Sequence, residues 1–274
     1  MKRLLGWGLL LLTICPALAA CQAQPAPPPA ITPSPLPATL RIGLSSSAAA
    51  LAEWVTEPYM AQTKQTSPQF ILANNVTLFA DLTTGQLEAI LVHHIPVGSP
   101  GWFNPVALDG LVIVVHPDNP VQDLSLGEVQ ALFNGRITNW SALGGPDLAI
   151  HLVSREQGAG TRAILQQRVL AEQRISINAL IQPDDSSLLV AVTADPAAIG
   201  YSMMGTAVAA NVNLLTIEGI AATPLTTADQ TYSLTAPLYF LSPLEPQGQL
   251  RHFLAWLQSE EGQGVIGEWY GRVR

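Results

Sequence analysis

Residues 111–165 carry the densest pattern in the chain: LVIVVHPDNP at 111–120, LSLGEVQALFNGRITNW at 124–140, LGG at 143–145 and VSREQGAGTRAIL at 153–165. Gly110 to His116 is an apolar, β-branched run stopped by Pro117, the composition of a buried strand. In the second stretch Leu126, Val129 and Phe133 recur at helical spacing. Ser125 with Glu128 three residues on forms a capping-box pattern, so a helix is expected over 125–133, with Gly135 placed to end it. Trp140 fits a core position better than a ligand contact. Ala149 to Ser154 is a further strand, followed by a glycine-containing turn and a helix over 161–172.

On the N-terminal side, Thr39 to Leu44 has strand character. Ser45-Ser46-Ser47 then leads into an alanine-rich helix start over 48–55, for which serine is a good N-cap. Strands are expected at 69–72 and 88–93 with a helix at 76–84 between them. On the C-terminal side a strand at 197–201 precedes helices at 251–260 and 262–269. Strands alternating with helices predict an α/β architecture with largely parallel sheets. No internal repeat is visible.

The chain has 274 residues, 48% of them apolar and 12% charged, with a formal charge of −8. That supports a large buried core and makes nucleic acid an unfavourable partner. An anion would have to be held by local geometry, because the long-range field repels it. The N-terminus has a different character. Lys2 and Arg3 precede an apolar run from Leu4 to Ile14, and Leu18-Ala19-Ala20-Cys21 resembles the bacterial lipobox. Residues 1–20 are therefore expected to be a signal peptide, with Cys21 lipidated after cleavage. Residues 22–38, rich in proline and alanine, would form an extended tether, reaching roughly 50 Å at ~3.1 Å per residue. The only other cysteine, Cys15, lies in the segment to be removed, so the fold has to rest on its apolar core rather than on a disulfide. No later apolar run is long enough to cross a membrane.

Two turns have the chemistry of anion sites. At Arg155–Thr161 a strand ends and a helix begins, where the first backbone N–H groups have no intrahelical partner and the helix dipole adds positive character. Gly158 and Gly160 permit close backbone approach, Thr161 offers a hydroxyl, and Arg155 a planar fork matched to an oxyanion. In that role Arg155 would be needed for binding and dispensable for folding. Ser45-Ser46-Ser47 places a comparable set of donors after the first strand.

Several fragments, in order, resemble the phosphate-binding-protein-like family of ABC-transporter solute-binding proteins. They are Asn119-Pro120, Phe133-Asn134-Gly135, Ile137-Thr138-Asn139-Trp140, Arg155-Glu156-Gln157-Gly158-Ala159-Gly160-Thr161, Ala198-Ile199-Gly200-Tyr201 and Pro237-Leu238-Tyr239. The resemblance is strong from about residue 109 to 201. It implies a two-lobe, type II periplasmic-binding-protein fold with the ligand in a cleft. Lobe I would comprise 39–112 plus 203–274, and lobe II 113–202. It further implies an oxyanion ligand, phosphate first among candidates, held by Ser45, Ser46, Ser47, Asn75, His93, Arg155, Gly158, Ala159, Gly160 and Thr161. The expected partners are an ABC permease and the lipid anchor. The expected state is a monomer on the extracytoplasmic face of a membrane, with no cofactor, no metal and no catalytic residue.

Two positions depart from that pattern. The family's serine in Gly-Ser-Gly-Thr is Ala159, which removes a hydroxyl and keeps a backbone N–H. The aspartate that in phosphate-specific members accepts a hydrogen bond from protonated phosphate corresponds to His93, followed by His94. Asn74-Asn75 stands where the family has a glycine- and serine-rich turn. These departures support an alternative, a surface sensor or adhesion module that has lost phosphate specificity. A metal site at His93-His94 is disfavoured because adjacent strand residues face opposite ways. A phosphatase lacks an accompanying nucleophile elbow or acidic metal cluster.

Overall fold

The structure, a computed structural model, describes residues 39–273. The expected signal peptide, Cys21 and the tether lie outside the described residues. Strands β1 (Arg41–Leu44), β2 (Gln69–Leu72) and β3 (Ala89–Val92) alternate with helices α1 (Ala49–Thr63) and α2 (Asn75–Thr83). The fourth strand, β4, runs from Trp102 to Val115, followed by β5 (Asp123–Leu124), α3 (Leu126–Phe133), β6 (His151–Arg155) and α4 (Gly160–Leu165). Next come β7 (Leu180–Gln182), α5 (Asp185–Thr193), β8 (Ala198–Met203), α6 (Met204–Ala207), β9 (Asn213–Leu214) and β10 (Thr216–Ile217). The chain closes with α7 (Pro224–Ala228), β11 (Thr235–Ser242), α8 (Gly248–Leu257) and α9 (Glu260–Ile266).

The main sheet has the order β2-β1-β3-β11-β4-β8-β6-β7, with β9 also on β4. Its outer pairs, β2-β1-β3 on one side and β8-β6-β7 on the other, are parallel, while the pairs made by β4 and β11 are antiparallel. The long β4 serves both halves. Trp102 to Gly110 pairs with β11, and Leu111 to Val115 pairs with β8. Apolar cores divide accordingly. Ile42, Leu51, Val106, Phe240 and Phe253 pack on the first side, and Leu111, Phe133, Trp140, Ile199 and Tyr201 on the second. Each fully buried aliphatic or aromatic side chain stabilises by about 1.5–3 kcal/mol relative to exposure.

Most expected elements occur where the residue pattern placed them. The Ser125 capping box forms, Gly135 turns the chain at φ +82°, and Trp140 is fully buried. The strand expected from Gly110 instead starts at Trp102, because Pro105 lies where β4 pairs on one side only, with β11, so its missing N–H breaks no ladder there. The expected helix at 161–172 begins as α4, continues as a π-helical segment over Gln166–Leu170 and stops at Ala171, whose φ is +52°. Residues 204–234 lie partly on the β8 side. There β9 pairs with the distal half of β4, β10 pairs with β5, and Tyr232 and Leu234 join the Leu111 core. Among the described residues no helix is long and apolar enough to cross a membrane.

Candidate functional site

The C-terminal ends of parallel strands are where open α/β sheets present their ligand loops. Here β1 ends in Ser45-Ser46-Ser47, β3 in His93, and β6 in the Arg155 turn. The serines do not act as simple helix caps, since Ser45 occupies the N-cap position of a short 3-10 turn without a side-chain cap bond. Its Oγ lies 3.0 Å from Ser47 Oγ, which lies 3.0 Å from His93 Nδ1. His93 Nε2 in turn lies 3.1 Å from Asp109 Oδ2. Asp109 Oδ1 accepts N–H bonds from Gly110 at 2.8 Å and Gly205 at 3.1 Å. The whole chain is buried. Both ring nitrogens of His93 are therefore engaged inside the protein, and it is not a free ligand contact.

The Arg155 turn is built on charge. Arg155 is only 2% exposed, and all five guanidinium N–H groups have protein partners. Nη1 donates to Ser46 Oγ at 3.1 Å and to Asp185, while Nε and Nη2 grip Glu156 at 3.1 and 3.2 Å. Nη2 also donates to Pro183 O at 3.1 Å. Burial opposes the charge, but Asp185 and Glu156 offset it and hold the Arg155 pKa above its ordinary value. Arg155 is thus half of a buried ion pair as well as a candidate ligand group. Its expected dispensability for folding therefore has to be weighed against these structural partners.

Asp185, 1% exposed, joins the two loops: its Oδ2 accepts from Ser46 Oγ at 2.5 Å as well as from Arg155. The backbone behind Arg155 is pinned by Tyr201, whose hydroxyl accepts from Arg155 N at 3.1 Å and lies 2.9 Å from Ser154 Oγ. Burial raises the Tyr201 pKa. Gly158 has φ +112°, and a Cβ there would come within 3.0 Å of Val76. At Gly160 a Cβ would lie 3.0 Å from Asn75 Nδ2, so the missing side chain is what lets α2 meet the start of α4. Ala159 caps α4 without a side-chain bond, and its N–H, expected to remain available, donates instead to Glu156 O at 3.2 Å.

Buried polar side-chain atoms almost always find partners, and an unpaired one costs about 1–3 kcal/mol. Among the described residues, the unpaired buried atoms include Asn75 Oδ1, Thr161 Oγ1 and Asp185 Oδ1. All three belong to residues that touch or adjoin the Arg155–Thr161 turn. Asn75 Nδ2 is satisfied by His94 O at 3.2 Å, and burial lowers the pKa of His94. A cavity of about 410 Å³ opens beside His93 and His94, lined also by Arg168 and Tyr239. Among the described residues no group of three or more His, Cys, Asp or Glu side chains is placed to hold a metal ion.

The structure thus brings Ser45, Ser46, Ser47, Asn75, His93, Arg155 and the Gly158–Thr161 turn into one region. Asp109, Asp185, Glu156 and Tyr201 were missed. Asp109 carried a readable signal, a lone carboxylate inside an otherwise apolar run, which must find partners if buried. Asp185 carried little, because Asp184-Asp185 before Ser186 and Ser187 reads first as a helix start. Asp184 does serve as that cap, accepting from Ser187 N at 2.7 Å.

A mixed sheet with separate apolar cores on its two halves, and polar loops from both halves turned toward each other, defines a two-lobe protein of the periplasmic-binding-protein type. The chain belongs to the PBP superfamily, whose domain profile matches residues 30–261. It is 32% identical over 205 residues to the phosphate-binding protein PstS of Bacillus subtilis, covering 74% of this chain. The chain spans 64% of the length of that curated relative. Among solved structures, one similar protein is from Clostridium perfringens, assigned to the substrate-binding proteins of phosphate ABC transporters and crystallised with bound phosphate. It has a TM-score of 0.80 at 26% identity, with 86% of this chain and 100% of that chain covered. An ABC-type phosphate transport receptor from Vibrio cholerae has a TM-score of 0.68 at 26% identity, covering 85% and 99%.

Proposed function

We propose that this protein is an extracytoplasmic solute-binding protein that captures an inorganic oxyanion, phosphate first, between its lobes and delivers it to an ABC permease. The observation that carries the proposal is the buried, unpaired hydroxyl of Thr161 in the first turn of α4, near the Arg155 guanidinium and the Ser46 hydroxyl that meet at Asp185. The names of the relatives support the choice of anion. Binding proceeds by exchange. An Asp185 oxygen lies between the Ser46 hydroxyl and Arg155, and the anion takes over those two donors as the lobes close. Such affinity comes from desolvated hydrogen bonds and needs no chemistry.

The lobes are proposed to divide at the two ends of β4. The division expected near 112 and 203 is moved later on its second side, to about residue 235, where β11 begins. In the proposed setting Cys21 is the lipid attachment point and 22–38 the tether that keeps the carrier near its permease. The chain is a monomer there.

The engagement of all five Arg155 donors favours one second reading, a family member that has become a sensor or adhesion module. Calorimetry of the purified protein with phosphate, sulfate, molybdate and tungstate separates the two. The transport reading requires one binding event with phosphate. No heat from any anion, together with a protein partner recovered by crosslinking, would establish the second.

A further inference from the structure

The buried chain behind the serine loop has a direction. We propose that Asp109 is a positioning residue that sets this direction. By holding His93 as the Nε2–H tautomer, it leaves the Ser45 and Ser47 hydroxyls as acceptors toward whatever is bound. The proposal rests on the site reading given above and names what the first loop asks of its ligand.

An ionised carboxylate can only accept hydrogen bonds. Asp109 Oδ1 already accepts two backbone N–H groups, from Gly110 and Gly205, and Oδ2 faces His93 Nε2 at 3.1 Å. The contact with Nε2 therefore needs a proton on that nitrogen. An uncharged imidazole carries one N–H, so Nδ1 is an acceptor and Ser47, 3.0 Å away, donates to it. With the Ser47 proton committed, the 3.0 Å contact between the serines must have Ser45 as donor. Leu91 O is a poorer partner for that proton, since it lies 3.5 Å away and already accepts from Ser45 N. Both protons point inward to Asp109, so lone pairs are all that these two hydroxyls can offer a ligand. A ligand with an O–H, such as hydrogen phosphate, meets acceptors there. A fully ionised tetrahedral anion such as sulfate meets repulsion. The selectivity thus lies in a tautomer fixed by Asp109, two links behind the contact.

Asp109→Asn tests this, because the backbone N–H groups of Gly110 and Gly205 dictate how the amide sits. Its oxygen stays with them and its NH₂ turns to His93 Nε2, which must then accept. The chain reverses: Nδ1–H donates to Ser47, whose proton is released toward the ligand. Nitrogen NMR of His93 at about pH 8, above the ordinary imidazole range, reads the tautomer without any ligand. The expected result is Nε2–H in the wild type and Nδ1–H in Asp109→Asn. Calorimetry should then show the preference for phosphate over sulfate falling roughly tenfold in the variant. A wild-type Nδ1–H or doubly protonated His93 would overturn the proposal, and so would a reversed tautomer with an unchanged preference. Should Asp109→Asn fail to fold, Ser47→Ala cuts the chain one link nearer the ligand. It must lower the preference and keep the Nε2–H tautomer, and loss of that tautomer would overturn the role of Asp109. Wild-type protein that shows Nε2–H and binds neither anion would sink the proposed function while leaving the hold of Asp109 on His93 in place.

Discussion

The serine loop after β1 and the Arg155 turn after β6 both bury polar groups, but they satisfy them differently. In the serine loop, hydroxyls and an imidazole form a relay that ends in Asp109, and the side chains of Ser45, Ser47 and His93 all have partners. Around the Arg155 turn a guanidinium lies between two carboxylates, and unpaired atoms remain on Thr161, Asp185 and the adjoining Asn75. The side chains of the serine relay are all partnered, whereas the Thr161 hydroxyl beside the Arg155 turn is not. In the proposed function the serine side would set what kind of ligand is accepted, and the Thr161 hydroxyl would gain a partner on binding.

The largest expected effect breaks the ionic loop. Arg155→Met leaves Asp185 buried and unpaired and should cost about 3–5 kcal/mol in chemical denaturation. Adding Asp185→Leu should recover most of that loss, because removing both charges also removes both desolvation penalties. A loss under about 1 kcal/mol in the single variant would mean that the pair opens to solvent at little cost. A smaller effect is expected at Tyr201→Phe. It removes the acceptor of Arg155 N–H and should cost about 1–3 kcal/mol, with the melting temperature as readout. The serine relay should be untouched, so the His93 tautomer should not change.

Asp184→Ala has the smallest expected effect and carries a pH signature. Loss of the α5 cap should cost about 1 kcal/mol at neutral pH. The Asp184 pKa is depressed in the fold, chiefly by the Ser187 backbone bond. The contribution of its ionised form is therefore present above the ordinary Asp range and fades as pH falls through the depressed value. The stability gap between wild type and variant should narrow in acid, as denaturation at a series of pH values can show. A gap that widens in acid would contradict this assignment.

How much of this was legible in the sequence differs between the two loops. The strand–turn–helix order around Arg155 to Thr161 could be read directly, because glycine spacing and helix onset are local features. The serine loop was legible as a donor-rich turn. Its relay was not, since His93 and Asp109 become neighbours only when β3 and β4 are both joined to β11. The partner of Arg155 was hidden for a similar reason: Asp185 is 30 residues away and begins another helix. The β4 strand was read short because Pro105, Asp109 and Gly110 are strand-breaking types when viewed alone. Each is accommodated by tertiary context, through a half-edge position, a buried network and a change of pairing partner.

Thr161→Val tests the central claim most directly. The Thr161 hydroxyl is buried and has no partner, so the fold gains nothing from it. Melting and phosphate calorimetry should be run on the same preparation. The account predicts a stability unchanged or raised by up to roughly 1 kcal/mol, and an anion affinity lowered by about tenfold or more. A variant that loses stability and binds phosphate as tightly as the wild type would contradict the assignment of this turn as the anion site.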